Sequence, residues 1–225
     1  MRSHSKRFKK SLEAAPKTAL PVASAVTALK ALPPTKFDAT VELVMHLGID
    51  PTQADQAMRG AISLPNGIGA SRKVIAFCDG ADAEKALAAG AIEAGSAELI
   101  AKVLGGWMDF DVAVATKGMM KDVSKLGRVL GPQGKMPSPK AGTVVDDITK
   151  AVTEYAAGKV EYRNDDGGNL HVPVGKVSFD EKKLVENIEF FIDHVRRTKP
   201  STTKGTYIKK ACLTATMSPS VRLEV

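Results

Sequence analysis

The residues best suited to chemistry lie between Gly127 and Val145, G-R-V-L-G-P-Q-G-K-M-P-S-P-K-A-G-T-V-V. This stretch holds four glycines, three prolines and three basic side chains. Proline fixes φ and lacks an N–H, and glycine admits positive φ. The run therefore predicts an ordered, basic, turn-rich loop and neither a regular helix nor a central strand. Glycine beside lysine is the chemistry of a phosphate cradle, but the spacing fails. A Walker-type loop needs glycine five residues before the Gly-Lys pair. Val129 stands there, and Met136 stands where Ser or Thr would hold a metal. No G-x-G-x-x-G follows the apolar run at 72–78; D-G-A-D-A-E-K does.

The other reactive residues are scattered. His4, His46, His171 and His194 are isolated, with neither H-E-x-x-H nor a Cys/His cluster around them. They read as surface or hydrogen-bonded histidines, not metal ligands. Ser138 and Cys78 have no local base or nucleophile elbow. Asp109/Asp111, Asp146/Asp147 and Asp165/Asp166 are close carboxylate pairs, the last two at a helix start and a turn. No catalytic constellation forms, so the chain reads as a binding protein that uses no cofactor and no metal. The runner-up is an enzyme or nucleotide-binding protein using the middle of the chain, and it lacks its phosphate loop.

Composition narrows the partner. No run of ~18 apolar residues predicts a membrane span. Cys78 and Cys212 are far apart and fit neither a disulfide framework nor a zinc site, so both read as reduced. The opening M-R-S-H-S-K-R-F-K-K-S lacks an apolar signal core. Its basic, acid-free composition resembles a transit peptide's, but it runs into an Ala-rich segment without a clear processing site, and a cytoplasmic home is expected. The formal net charge of +7 is unevenly placed. Residues 1–67 carry nine Lys/Arg against five Asp/Glu, residues 68–158 eleven of each, and residues 159–225 twelve against nine. All the excess positive charge is at the two ends. A basic surface attracts a polyanion because neutralised phosphates release counterions; a charge serving solubility alone is the competing reading.

The elements that must position these residues follow from periodicity. Residues 1–35 read as a basic tail and an Ala-rich helix, with Val22, Val26 and Leu29 on one face and Pro33-Pro34 as its stop. Lys36 to Leu47 alternates as a half-buried strand, Phe37, Ala39, Val41, Leu43, Met45 and Leu47 facing one way. Pro51 to Arg59 predicts a short helix capped by Asp50. Residues 72–78 and 111–116 are short apolar strands, and helices are expected over 82–90, 96–104, 119–126 and 146–157, a pattern of parallel, three-layer α/β structure. Residues 159–163 and 170–177 flank N-D-D-G-G-N as a hairpin. Asp180 is expected to cap a long helix, Glu181 to Arg197, and Tyr207 to Met217 to form the last strand, with Ala211, Leu213, Ala215 and Met217 on one face.

Together these predict an α/β protein of two domains. Residues 1–67 and 159–225 would form a split α+β domain, an open-faced sheet with helices on one side. Residues 68–158 would form an inserted Rossmann-like domain, with crossings at Gly67–Gly69 and Gly158. On the open face Lys36, Phe37, Thr40 and Glu42 and, from the last strand, Thr214, Thr216 and Met217 form one shared patch: lysine for phosphates, hydroxyls for ribose, Phe and Met for sugar and base faces. The same alternation permits Phe37 and Met217 to be core residues, and on the residues alone the core reading is preferred.

L-G-P-Q-G-K-M-P-S-P-K-A-G-T-V, Leu130 to Val144, resembles the signature loop of the large-subunit ribosomal stalk protein family, ribosomal protein L-one, bacterial type. K-F-D-A-T-V-E-L, L-G-I-D-P-T-Q-A-D-Q, H-V-P-V-G-K, K-G-T-Y-I-K and T-M-S-P-S-V-R resemble it in the same order, from Lys36 to the end. The resemblance implies a structural, non-enzymatic protein of the large ribosomal subunit. Its members bind large-subunit ribosomal RNA at the mobile stalk, assist release of deacylated tRNA from the exit site, and in bacteria repress their own operon mRNA. It implies an RNA surface of Lys36, Phe37, Thr40, Glu42, His171, Lys176, Thr216, Met217 and Ser218. The loop signature falls on Gly131, Pro132, Gly134, Lys135, Met136, Pro137, Pro139, Lys140 and Gly142. Ser218 departs from the family, which commonly has glycine there; its Cβ disfavours a positive φ beside the RNA.

Overall fold

The computed structural model describes residues 5–53 and 55–225, so His4 lies outside the described residues. In chain order, α1 (Lys6–Ala14) and α2 (Val22–Lys30) precede β1 (Thr40–Leu47) and β2 (Arg59–Ile62). Next come β3 (Val74–Phe77), α3 (Gly80–Ala88), β4 (Glu93–Gly95), α4 (Ala97–Leu104) and β5 (Val112–Thr116). α5 (Met120–Val123) continues through a 3-10 turn at Ser124–Leu126 into α6 (Gly127–Leu130). A second 3-10 turn, Pro139–Ala141, precedes β6 (Val144–Val145) and α7 (Ile148–Ala156). β7 (Val160–Arg163), β8 (Asn169–Lys176), α8 (Glu181–Arg197), β9 (Ile208–Ala215) and β10 (Val221–Leu223) complete the chain.

Contacts divide these elements into two compact units. The first takes residues up to Arg59, then Leu64–Gly69 and Tyr162–Val225; the second takes Gly60–Ser63 and Ala70–Glu161. The crossing segments β2 and β7 pair with each other as a two-stranded sheet.

In the first unit an antiparallel sheet runs β10-β9-β1-β8, with β1 in the middle. Side chains alternate across a strand. Val41, Leu43, Met45 and Leu47 are buried on one face, while Thr40, Glu42, Val44 and His46 remain partly exposed on the other. α2 covers the buried face with Ala25, Val26 and Leu29, and α8 with Leu184, Ile188, Phe191, Ile192 and Val195. Each fully buried large aliphatic or aromatic side chain contributes roughly 1.5–3 kcal/mol, so these helices stay on the sheet and leave its other face uncovered. His194 turns its Nε2 to the Tyr162 hydroxyl at 2.8 Å. Burial, then the charge of Arg197, lowers its pKa below the ordinary imidazole value. The neutral form is favoured in the folded state, so stability is complete above the unfolded pKa and is lost as pH falls through the lowered one. Thermal melts from pH 7.5 to 5 should show a steeper loss of Tm in the wild type than in His194→Gln.

The second unit holds a parallel sheet, β4-β3-β5-β6. β3 is buried on both faces. Ile75 and Phe77 pack with Leu99, Ile100, Val103, Val123, Leu126 and Leu130. Val74, Ala76 and Cys78 pack with Ala86, Ile148, Ala151, Val152 and Tyr155 on the opposite side. This is the three-layer pattern that continuous apolar strands predict. Burial, with Asp82 and Asp79 adding to it, pushes the Cys78 thiol up in pKa, so it stays protonated at neutral pH. Asp79 and Asp82 sit at the start of α3, where a phosphate would otherwise be attracted.

Several expectations are corrected. Pro51 to Arg59 forms no helix: the described residues make turns and then β2. Asp50 instead closes a local turn, its Oδ1 accepting from the Thr52 amide at 3.1 Å and hydroxyl at 2.7 Å, an arrangement that competes with helix propagation. The hairpin is also wrong. N-D-D-G-G-N does turn, with Asp165 Oδ1 accepting from the Gly167 amide at 2.9 Å and the Asn169 amide at 2.6 Å. Beyond one bridge, Asn164 to Leu170, its arms part: β7 pairs with β2 and β8 with β1. Asp180 precedes α8 without a side-chain capping bond. The ends of the glycine-rich run are helical at α6 and a sheet edge at β6. Two strands of three residues, β4 and β10, were not expected, nor was α1 within the basic tail. Ser5 caps the start of α1, its Oγ accepting from the Phe8 amide at 3.3 Å, and the fully buried Ser11 satisfies its hydroxyl by donating to the Arg7 carbonyl at 3.0 Å.

Candidate nucleic-acid interface

The start of β1 meets the end of β8 and the end of β9, because both flanking strands run antiparallel to β1, with Thr40 opposite Lys176 and Val41 opposite Ala215. That register gathers the polar residues. Lys176 Nζ donates to Thr40 Oγ1 at 2.8 Å, the Thr40 amide donates to Thr216 Oγ1 at 3.2 Å, and the Thr216 amide donates to the Thr40 carbonyl at 3.0 Å. One step along the uncovered face, His171 Nδ1 lies 3.0 Å from Glu42 Oε1. Glu42 also sits opposite Thr214, whose hydroxyl donates to the Ser218 carbonyl at 3.3 Å. The result is a row of hydroxyls with a held lysine and a carboxylate that has an acceptor lone pair to spare. Such groups suit ribose 2′-OH and phosphate oxygens.

Phe37 and Met217 are not core residues. Phe37 is 52% and Met217 67% exposed. The alternation that would have buried them stops short: β1 begins only at Thr40 and β9 ends at Ala215. Met217 lies in a turn with φ 66°, a left-handed conformation that costs a non-glycine residue about 1–2 kcal/mol. Strain of this kind collects where a side chain must be aimed. The positive φ therefore falls on Met217 and not on Ser218, whose amide donates normally to the Ala215 carbonyl at 2.9 Å. Serine in place of glycine at 218 carries no backbone strain. Ser218 and Phe37 line one cavity of about 90 Å³ with Ala39, Val177 and Ala215. Lys36 is exposed beside them. Sequence reasoning missed Arg7, whose guanidinium donates to the Met217 carbonyl at 2.6 Å and the Pro33 carbonyl at 3.3 Å. Its only signal was a helical spacing within a run taken as a tail.

The glycine-rich loop belongs to the second unit. Lys135 does not present its charge: Nζ donates to the Phe110 carbonyl at 2.5 Å and the Met108 carbonyl at 3.2 Å. Met136 packs against the core and Pro137 is buried. Gly131, Pro132, Gly134, Pro139 and Lys140 are exposed. Gly142 has φ 72°, and a side chain there would be strained. Just before it, the Ala141 carbonyl accepts the buried Tyr155 hydroxyl at 3.1 Å; burial, then Glu161 and Glu154, raise the pKa of that phenol. Tyr155→Phe is expected to leave this carbonyl unpaired and to lower stability by about 1 kcal/mol, read in urea unfolding.

An uncovered sheet face flanked by exposed Phe37 and Met217, with ordered hydroxyls and a held lysine, offers groups of the kind that bind a polar, anionic surface. A model of the ribosomal protein L1p/L10e family matches residues 29–219. The chain belongs to that family, and it is a structural ribosomal protein that binds ribosomal RNA and associates with the ribosome in the cytoplasm. The family is one of structural proteins, generally non-enzymatic. Among the described residues no helix is long and apolar enough to cross a membrane.

Proposed function

We propose that the unit formed by both chain ends is the RNA-binding domain, and that residues 68–158 are an inserted Rossmann-like domain. The first grips large-subunit ribosomal RNA at the mobile stalk. Lys36, Phe37, Thr40, Glu42, His171, Lys176, Thr216, Met217 and Ser218 form the contact surface. Through the stalk the protein assists release of deacylated tRNA from the exit site, and by offering the same surface to its own operon mRNA it represses translation.

One observation carries this reading: Met217 stands exposed in a strained turn beside the bonded Thr40, Lys176 and Thr216. A preformed rigid patch recognises RNA by shape and 2′-OH contacts, with lysines adding a salt-dependent share. The test is filter binding of the full chain to a stalk ribosomal RNA fragment, competed by the leader of its own mRNA. The fragment should bind at least about a thousandfold more tightly than an unrelated hairpin. The leader should displace it completely. Equal affinity for both RNAs would remove the stalk assignment, and a leader that fails to compete would remove the repressor role alone.

A further inference from the structure

The family match begins at residue 29, so α1 lies wholly outside it. Yet Arg7 ties α1 to the turn that displays Met217, through the Met217 carbonyl at 2.6 Å. Positions 6, 9 and 10 fall on one side of a 3.6-residue helix, and Lys6, Lys9 and Lys10 are all exposed there. The adjoining side is turned inward, with Ser11 fully buried. Glu13 is the one acidic residue of K-R-F-K-K-S-L-E-A, so the helix is strongly cationic. It spans about 13 Å at ~1.5 Å per residue, the length of a few successive phosphates.

We infer that α1 is a second element of the RNA surface, in which Lys6, Lys9 and Lys10 contact backbone phosphates of the RNA strand lying across Met217. Arg7 acts differently. It is a positioning residue that fixes the helix to the turn, its guanidinium being spent on two carbonyls. This inference rests on the RNA-binding role proposed for the first unit. Lysine contacts to phosphate carry no sequence information; they supply affinity and its dependence on salt.

The experiment is filter binding of the full chain to the stalk RNA fragment across a series of KCl concentrations. Lys6/Lys9/Lys10→Gln should reduce the slope of log Kobs against log[salt] by about 2–3, at roughly 0.7–0.9 for each of three lost contacts. Near 0.15 M salt that corresponds to a Kd raised some tens of times, with an unchanged melting temperature. Lys182/Lys183/Lys204→Gln removes the same charge from exposed positions of α8 and the segment after it, and should leave the slope as it was. An unaltered slope in the α1 variant, or an equal loss in the α8 variant, overturns the inference. If Met217→Asp weakens binding while the α1 variant keeps its slope, α1 alone is rejected. If the wild type prefers no RNA, the RNA-binding role falls and takes this inference with it.

Discussion

Met217→Asp should weaken binding of the stalk RNA by about 1–3 kcal/mol, the scale of losing one large contacting side chain at a nucleic-acid surface. That is a rise in Kd of roughly 5- to 150-fold. Two effects act together: the thioether's contact is lost, and a carboxylate is placed against phosphates. Because Met217 is 67% exposed, the fold should tolerate the change, and urea midpoints should stay close to wild type. Met217→Gly separates side chain from backbone. Glycine relieves the φ of 66°, so the free protein should gain up to about 1 kcal/mol while RNA binding still falls. Opposite signs for stability and binding are the signature of strain kept for a contact. A glycine variant that binds as well as wild type would show that the side chain touches no RNA.

Asn187→Ala should be the most damaging single change to the fold, costing roughly 2–4 kcal/mol. Asn187 lies on the buried side of α8 with no exposed surface. Its Nδ2 donates to the Val174 carbonyl at 2.8 Å and the Gly67 carbonyl at 3.0 Å, and its Oδ1 accepts from the Asn66 amide at 3.1 Å. One side chain thus links α8, β8 and the returning segment Leu64–Gly69. Removing it strands the buried Val174 carbonyl and takes a partner from the half-buried Gly67 carbonyl and Asn66 amide; a buried unpaired group costs about 1–3 kcal/mol before relaxation or water entry. Leucine should not rescue, since volume is not what the site lacks. Urea denaturation checks this directly; a loss below about 1 kcal/mol would mean that water replaces the amide without cost.

How far the sequence was legible depended on what each residue's neighbours had to be. β1 and α8 were plain because a period of two or of 3.6 only needs one buried face, and Leu43, Met45, Leu184 and Phe191 mark it. β3 and β5 were plain because strands buried on both sides are continuously apolar. β4 and β10 were not, since three residues are too few for a period and both exist by pairing with a neighbour. β7 was assigned the wrong partner because the turn at Asp165 is locally correct for a hairpin; the choice between β8 and β2 lies with strands far away in the chain. Pro51 to Arg59 had a capping aspartate and a proline in helical order, yet Asp50 satisfies itself within a turn.

Sequence by itself determined the family, through an ordered run of motifs that ends near Arg222, and it determined which strand faces are apolar and where the positive charge lies. Tertiary structure alone decided the surface. A strand's alternation assigns a side chain to a face only while the strand lasts, and where it stops is set by its partners. β1 and β9 end just short of Phe37 and Met217. Those two side chains are therefore at the surface, beside hydroxyls that only antiparallel register brings together.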